Sequence, residues 1–256
     1  MSAALFTPEE LASFERDGFF VARGLADTEL RERILAVSQS QLAQAIEPIE
    51  YEADTRYPGA PSSREAAGGR TARRLLQVFQ RDQAYRDWAT QANLTARLRQ
   101  LLGSEQIALT QAHHNSLMTK QPAFSSETHW HRDIRYWNFA DSQLVSVWLA
   151  LGEERRDNGC LGFLPGSHKI DFSPERFENR AFLRPDLPEN QALIARAVFP
   201  ELQPGDVVFF HALTFHAAGW NRTDQTKYSL VFSYHRQDNL PQPGSRSASL
   251  PSITLG

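Results

Sequence analysis

The sequence predicts a mainly β fold, an antiparallel sandwich or jelly roll, buttressed by N-terminal helices. Two observations predict it. From Ile107 onward, short segments rich in branched and aromatic residues recur between Gly, Pro, Asn and Asp: "IALTQAHHNSLMTK", "QLVSVWLALGE", "GCLGFLP", "DVVFFHALTFHA" and "KYSLVFSYHR". Before Ile107, capping signals and apolar residues near a 3.6-residue period read as helices. A length of 256 residues is enough for one sizeable core.

The elements follow in order. In "FTPEELASFERDGF", Thr7 is placed to cap a helix, Pro8 suits its first position, Glu10 completes a capping box, and Gly18 ends it. In "ADTELRERILAVSQSQLAQAI", Asp27 is the expected cap, and Leu30, Ile34, Val37 and Leu42 form the apolar stripe. Residues 47–70, rich in Pro, Gly, Ser and charge, read as a loop. Residues 71–102 read as one or two further helices stopped at Gly103. Within the β half, residues 170–197 form a long connection of the kind that often serves as a lid. Residues 237–256 are rich in Pro and Ser and read as a partly disordered tail. The expectation is a single domain over 1–256: a helical part at 1–105, a β core at 106–236, and the tail.

Composition excludes several classes. Apolar residues make up 41% and charged residues 22%, the profile of an ordinary soluble globular protein. A net charge of −3 and a pI near 6.2 offer no basic field for nucleic acid or anionic lipid. No apolar run approaches the ~20 residues that span a bilayer, and no signal peptide is evident at the start, so a cytoplasmic protein is expected. The one cysteine, Cys160, precludes an intramolecular disulfide and a cysteine-built zinc site. In "DNGCLGF" it reads as a buried small apolar residue. No Cys–His pair or G-x-S-x-G motif suggests nucleophilic catalysis.

The densest chemistry lies in "ETHWHRDIRYW", residues 127–137. On an extended strand, residues i and i+2 share a face, so His131 and Asp133 can grip one cation. His129, Arg135 and Trp137 would share that face. A third ligand must come from another strand, where "QPGDVVFFHALTFHAAGWNRT" offers His211 and His216. Two imidazoles and a carboxylate are the set used by non-haem iron(II), because three coordination positions stay open. Spacing alone leaves His129–His131 as a rival pair, and a hydrogen-bonded structural role for each histidine.

These segments carry a family resemblance. "EELASFERDGFFVARGL", "HWHRDIRYW", "NGCLGFLPGSHK" and "GDVVFFHALTFHAAGWNRT" appear in an order that resembles the phytanoyl-CoA dioxygenase family of Fe(II)/2-oxoglutarate oxygenases, over most of the chain. The resemblance implies a double-stranded β-helix (jelly-roll, cupin-like) core. It implies His131, Asp133 and His216 as metal ligands, with His129 and His211 in supporting roles. Fe(II), 2-oxoglutarate and O₂ are the implied cofactors, and a small molecule the implied substrate. Family members place an arginine eleven residues after the distal histidine to hold the distal carboxylate of 2-oxoglutarate. Here that position is Lys227, followed by Ser229, and Trp148 matches a pocket-lining tryptophan. Arg135, Trp137 and Arg74 are the candidate substrate contacts. Because Asp133 stands where related halogenases carry a small residue, hydroxylation or another C–H oxidation is expected. Two other readings remain open: a non-catalytic small-molecule binder on the same fold, and a cupin-like metalloenzyme independent of 2-oxoglutarate.

Overall fold

The computed structural model describes residues 5–55, 57, 59–179 and 181–255. Helix α1 (Pro8–Asp17) begins at Thr7, whose side chain accepts from Glu10 N while the Glu10 carboxylate accepts from Thr7 N. It ends at Gly18 in the left-handed conformation (φ 81°). The chain continues through β1 (Phe19–Ala22), α2 (Thr28–Ala43), β2 (Ile49–Tyr51), β3 (Ala72–Leu76), α3 (Val78–Arg81), α4 (Gln83–Ala89) and α5 (Ala92–Leu102). The β half comprises β4 (Ile107–Leu109), β5 (Asn115–Lys120), β6 (Thr128–His131), β7 (Leu144–Ala150), β8 (Leu161–Phe163), β9 (Phe177–Glu178) and β10 (Phe182–Leu183). It closes with α6 (Pro188–Ile194), β11 (Val207–His211), β12 (His216–Ala218), β13 (Lys227–Arg236) and β14 (Ile253–Leu255).

The larger sheet runs β1-β11-β7-β13-β5-β3-β2, with β4 on β13 and β14 on β4; the smaller sheet runs β6-β12-β8. Strand alternation assigns the two faces of the larger sheet. Val145, Val147 and Leu149 of β7, with Leu230, Phe232 and Tyr234 of β13, pack outward against Phe14, Ile34, Tyr85, Trp88 and Leu94 from the helices. Trp148, Val208, Phe210 and Val231 face inward, against Leu161, Phe163 and Ala218 of the smaller sheet. The result is the two-sheet jelly-roll sandwich with helical buttresses that the strand pattern predicts.

Local expectations fail in three places. Residues 72–76 are strand β3, not helix, because they pair with β5 at Arg74↔Met118 and Leu75↔Leu117, and sheet pairing outweighs local helix propensity. The loop after α2 contributes strand β2 against β3. The C-terminal segment is ordered: β14 pairs with β4, and buried Ser247 donates to or accepts from His113 Nε2 at 2.8 Å and accepts from Asn138 N at 2.9 Å. Among the described residues, no helix is long and apolar enough to cross a membrane.

Candidate active site

His131 ends β6 and His216 opens β12, and the two face each other as cross-strand partners with ring centroids 4.2 Å apart. After His131, extended Arg132 carries Asp133 to the same side, and Asp133 then starts a 3-10 turn over Asp133–Tyr136. All three side chains are buried, and one donor atom from each lies within 4.8 Å of the others. Among the described residues, this is the one group of three or more His, Cys, Asp or Glu that converges in this way.

The same device orients both imidazoles. His131 Nδ1 donates to the carbonyl of His129 at 2.8 Å, and His216 Nδ1 donates to the carbonyl of Thr214 at 3.1 Å. A carbonyl can only accept, so each Nδ1 carries the proton and each Nε2 presents a lone pair. Burial, with the neighbouring His216, pushes the His131 imidazole well below its usual pKa range, which keeps it in the neutral, ligating form. Asp133 Oδ2 accepts from Ser146 Oγ at 3.1 Å and lies 3.3 Å from His114 Nδ1. Its Oδ1 makes no hydrogen bond and stands 3.5 Å from His216 Nε2. A fully buried carboxylate oxygen without a donor is costly. A divalent cation among the three would satisfy that oxygen and both nitrogens, so these residues fit iron(II).

Other predicted residues separate. His211 ends β11 and lies apart, accepting at Nδ1 from Leu213 N, with burial pushing its pKa down to about 4. His216 is on a different strand, so the odd spacing of the two histidines carries no face rule. The His129 ring is half-exposed, 3.9 Å from Glu127, and lies outside the ligand group. The turn at Asp133 breaks the alternation expected for Arg135 and Trp137. Arg135 reaches sideways, donating to the carbonyl of Ala181 at 2.7 Å and to the hydroxyl of Tyr57 at 3.3 Å, and also bonding Tyr136. Trp137 packs on the rings of His113 and His114. Arg74 lies opposite Met118 and pairs with Glu50 at 2.7 Å.

A cavity of 470 Å³ joins His131 and His216 to both ends of the site. Towards β13 it meets Trp148, Met118, Leu161, Lys120 and Lys227; towards the loops it meets Arg74, Tyr57, Tyr136, His114, Trp137 and Arg246. The hairpin of β9 and β10 lies across the metal end, with Phe182 edge-on to His131 at 6.1 Å and to Tyr57 at 5.7 Å. Sequence reasoning gave no role to His114, Ser146, Lys120 and Glu154. Of these, His114, in a His–His pair inside a strand-like segment, carries a local mark that could have drawn attention. The others carry no local mark, since their meaning comes from the strand opposite.

The comparisons agree with this geometry. The family profile described as phytanoyl-CoA dioxygenase (PhyH) matches residues 14–229. The peroxisomal phytanoyl-CoA dioxygenase of Homo sapiens is 26% identical over 245 residues, covering 91% of this chain and 70% of that protein. An ectoine dioxygenase of Streptomyces avermitilis is 31% identical over 169 residues, covering 64% of this chain and 52% of that protein. Among solved structures, EctD from S. alaskensis with 2-oxoglutarate and 5-hydroxyectoine has a TM-score of 0.74 at 21% identity, covering 98% of this chain and 84% of that one. The epimerase SnoN in complex with Fe3+, alpha ketoglutarate and nogalamycin RO has a TM-score of 0.71 at 22% identity, covering 96% and 93%. With its profile match running through every ligand, this chain belongs to the phytanoyl-CoA dioxygenase family.

Proposed function

We propose that this Fe(II)- and 2-oxoglutarate-dependent dioxygenase hydroxylates an unactivated C–H bond of a small polar molecule. The observation that carries the reading is the buried convergence of His131, Asp133 and His216, with Asp133 Oδ1 lacking any hydrogen-bond partner. Bound there, iron(II) supplies, with O₂ and 2-oxoglutarate, the oxidising power to break a C–H bond, with succinate and CO₂ released.

The chain's own residues do the rest. His131, Asp133 and His216 occupy one side of the metal position and leave the side facing the cavity open. Ser146 and the two backbone carbonyls hold the ligands in place before any metal arrives. Phe182 of the β9–β10 hairpin packs edge-on to His131, which supports a role for this connection in keeping water from the metal end. Towards the loops, the Tyr57 and Tyr136 hydroxyls and the Arg74–Glu50 ion pair line the cavity, which supports a polar substrate. The relatives are named for chemically different substrates, phytanoyl-CoA and ectoine, so neither name transfers here.

Anaerobic Fe(II) plus 2-oxoglutarate is expected to give a weak visible charge-transfer band, and a metabolite screen to reveal compounds that stimulate succinate release. Asp133→Ala abolishes both. Folded wild-type protein that gives no band, or undiminished turnover in Asp133→Ala, refutes the proposal.

A further inference from the structure

The three residues expected to hold 2-oxoglutarate all face one buried carboxylate of the protein itself. Glu154 is fully buried and accepts from Ser229 Oγ at 2.6 Å, Trp148 Nε1 at 2.8 Å and Lys227 Nζ at 3.3 Å. The Lys227 charge is thus already matched, and its hydroxyl and indole neighbours are already bonded. A second carboxylate brought to Lys227 would meet Glu154 at close range, and like charges in a buried site repel strongly.

A second lysine stands beside this group. Lys120 on β5 is the cross-strand partner of Lys227 on β13, so both side chains leave the sheet on the same face. Both are buried and both line the cavity. Lys120 Nζ donates to the carbonyl of Ser126 at 2.8 Å. Among the described residues, no carboxylate lies within 4.0 Å of it. An ammonium has three donors, so two remain for a ligand. Burial, with Arg73 and Lys227 close by, pushes the Lys120 ammonium well below its usual pKa range against the smaller pull of Glu52 and Glu127, so its charge is unfavourable until an anion arrives.

Backbone geometry keeps room for this lysine. Gly159 has φ +78°, and a Cβ there would lie 2.7 Å from Lys120 Cδ and 2.6 Å from the Gly219 carbonyl. The glycine of the "NGC" turn therefore lets the Lys120 stem pass.

We propose that Lys120, not Lys227, receives the distal carboxylate of 2-oxoglutarate, and that Glu154 holds Lys227 out of that role. The inference rests on the dioxygenase reading above. It makes Lys120 a specificity residue for keto acids that carry a second carboxylate.

The test is an anaerobic titration of the Fe(II) protein, read by the charge-transfer band, with 2-oxoglutarate and with pyruvate, which lacks the distal carboxylate. Lys120→Met should weaken 2-oxoglutarate binding roughly tenfold to a hundredfold, as for loss of a charged hydrogen bond, and leave pyruvate binding unchanged. The double variant Lys227→Met/Glu154→Gln removes the internal pair as a unit and should keep 2-oxoglutarate affinity within about threefold, less than 1 kcal/mol. A crystal structure of the wild-type protein with 2-oxoglutarate, which needs no variant to fold, should show the distal carboxylate on Lys120 Nζ. No band in folded wild-type protein sinks both the cofactor reading and this inference. A wild-type band that survives Lys120→Met unchanged, or a distal carboxylate on Lys227 with Glu154 displaced, overturns the inference alone.

Discussion

At the residue scale, the metal centre is built by one repeated bond. Each histidine ligand donates Nδ1–H to the carbonyl two residues before it, so the backbone of β6 and the turn before β12 set both tautomers. Asp133 is held differently, by a hydroxyl from the opposite sheet. Ser146 Oγ, bonded to Asp133, also lies 2.9 Å from Ser233 Oγ on the neighbouring strand. Removing such a supporting partner usually costs tenfold to a hundredfold in metal affinity. Ser146→Ala should therefore weaken Fe(II) or Mn(II) binding by roughly tenfold, measured by calorimetric titration, while the unfolding midpoint of the metal-free protein barely moves. Unaltered affinity would show that Ser146 does not position the carboxylate. Cys160 is the opposite case: burial pushes its thiol up to about 11, so it is a packing residue, as its sequence context suggests.

At the element scale, the 170–197 connection is a cover fastened from both sides of the ligand strand. Arg132 places its guanidinium near the rings of Phe172, Phe177 and Phe215, 5.1 to 5.4 Å from their centroids. Arg135 stacks on Phe182 at 4.3 Å and donates to the Ala181 carbonyl. The two arginines flanking Asp133 thus point to different parts of the cover because the 3-10 turn rotates the chain between them. Arg135→Ala removes a charged hydrogen bond worth about 1.5–3 kcal/mol. Backbone amides of β9 and β10 should then exchange roughly tenfold faster or more, by hydrogen–deuterium exchange, with iron affinity preserved. Exchange at the wild-type rate would leave the hairpin held by its aromatic contacts. The same scale explains the misread β3. Its "ARRLL" has no strand signature, and pairing with β5 on one side, with Arg74 opposite Met118, and β2 on the other makes it a strand.

At the scale of the whole molecule, two sheets give two different cores. The outer face of the larger sheet is sealed by helices and is almost wholly apolar. The inner face carries Ser146, Ser229, Ser233, Lys120 and Lys227 among apolar residues, and there the smaller sheet brings His131 and His216. Metal binding therefore ties the smaller sheet to the turn at Asp133 and should stabilise the native state as a unit. At a hundredfold excess over its dissociation constant, a ligand specific to the native state adds about 2.7 kcal/mol. For a domain of this size that raises the melting temperature by roughly 5–10 °C. Anaerobic calorimetry with and without Fe(II) should show the rise, and Asp133→Ala should abolish it. An equal rise in Asp133→Ala would place the stabilising metal elsewhere.

The sequence by itself determined the jelly-roll class, the helical caps at Thr7 and Asp27, and the family whose ligand pattern His131, Asp133 and His216 fill. These are local or ordered signals: a period of two, a capping box, motifs in sequence order. The tertiary structure decided what depends on the strand opposite. It made 72–76 a strand, docked the C-terminal segment at Ser247, turned Arg135 to the cover, and matched Lys227 with Glu154, 73 residues away, leaving Lys120 across the ladder. A charge's meaning is set by its nearest counter-charge, and in a sheet that neighbour is rarely near in sequence.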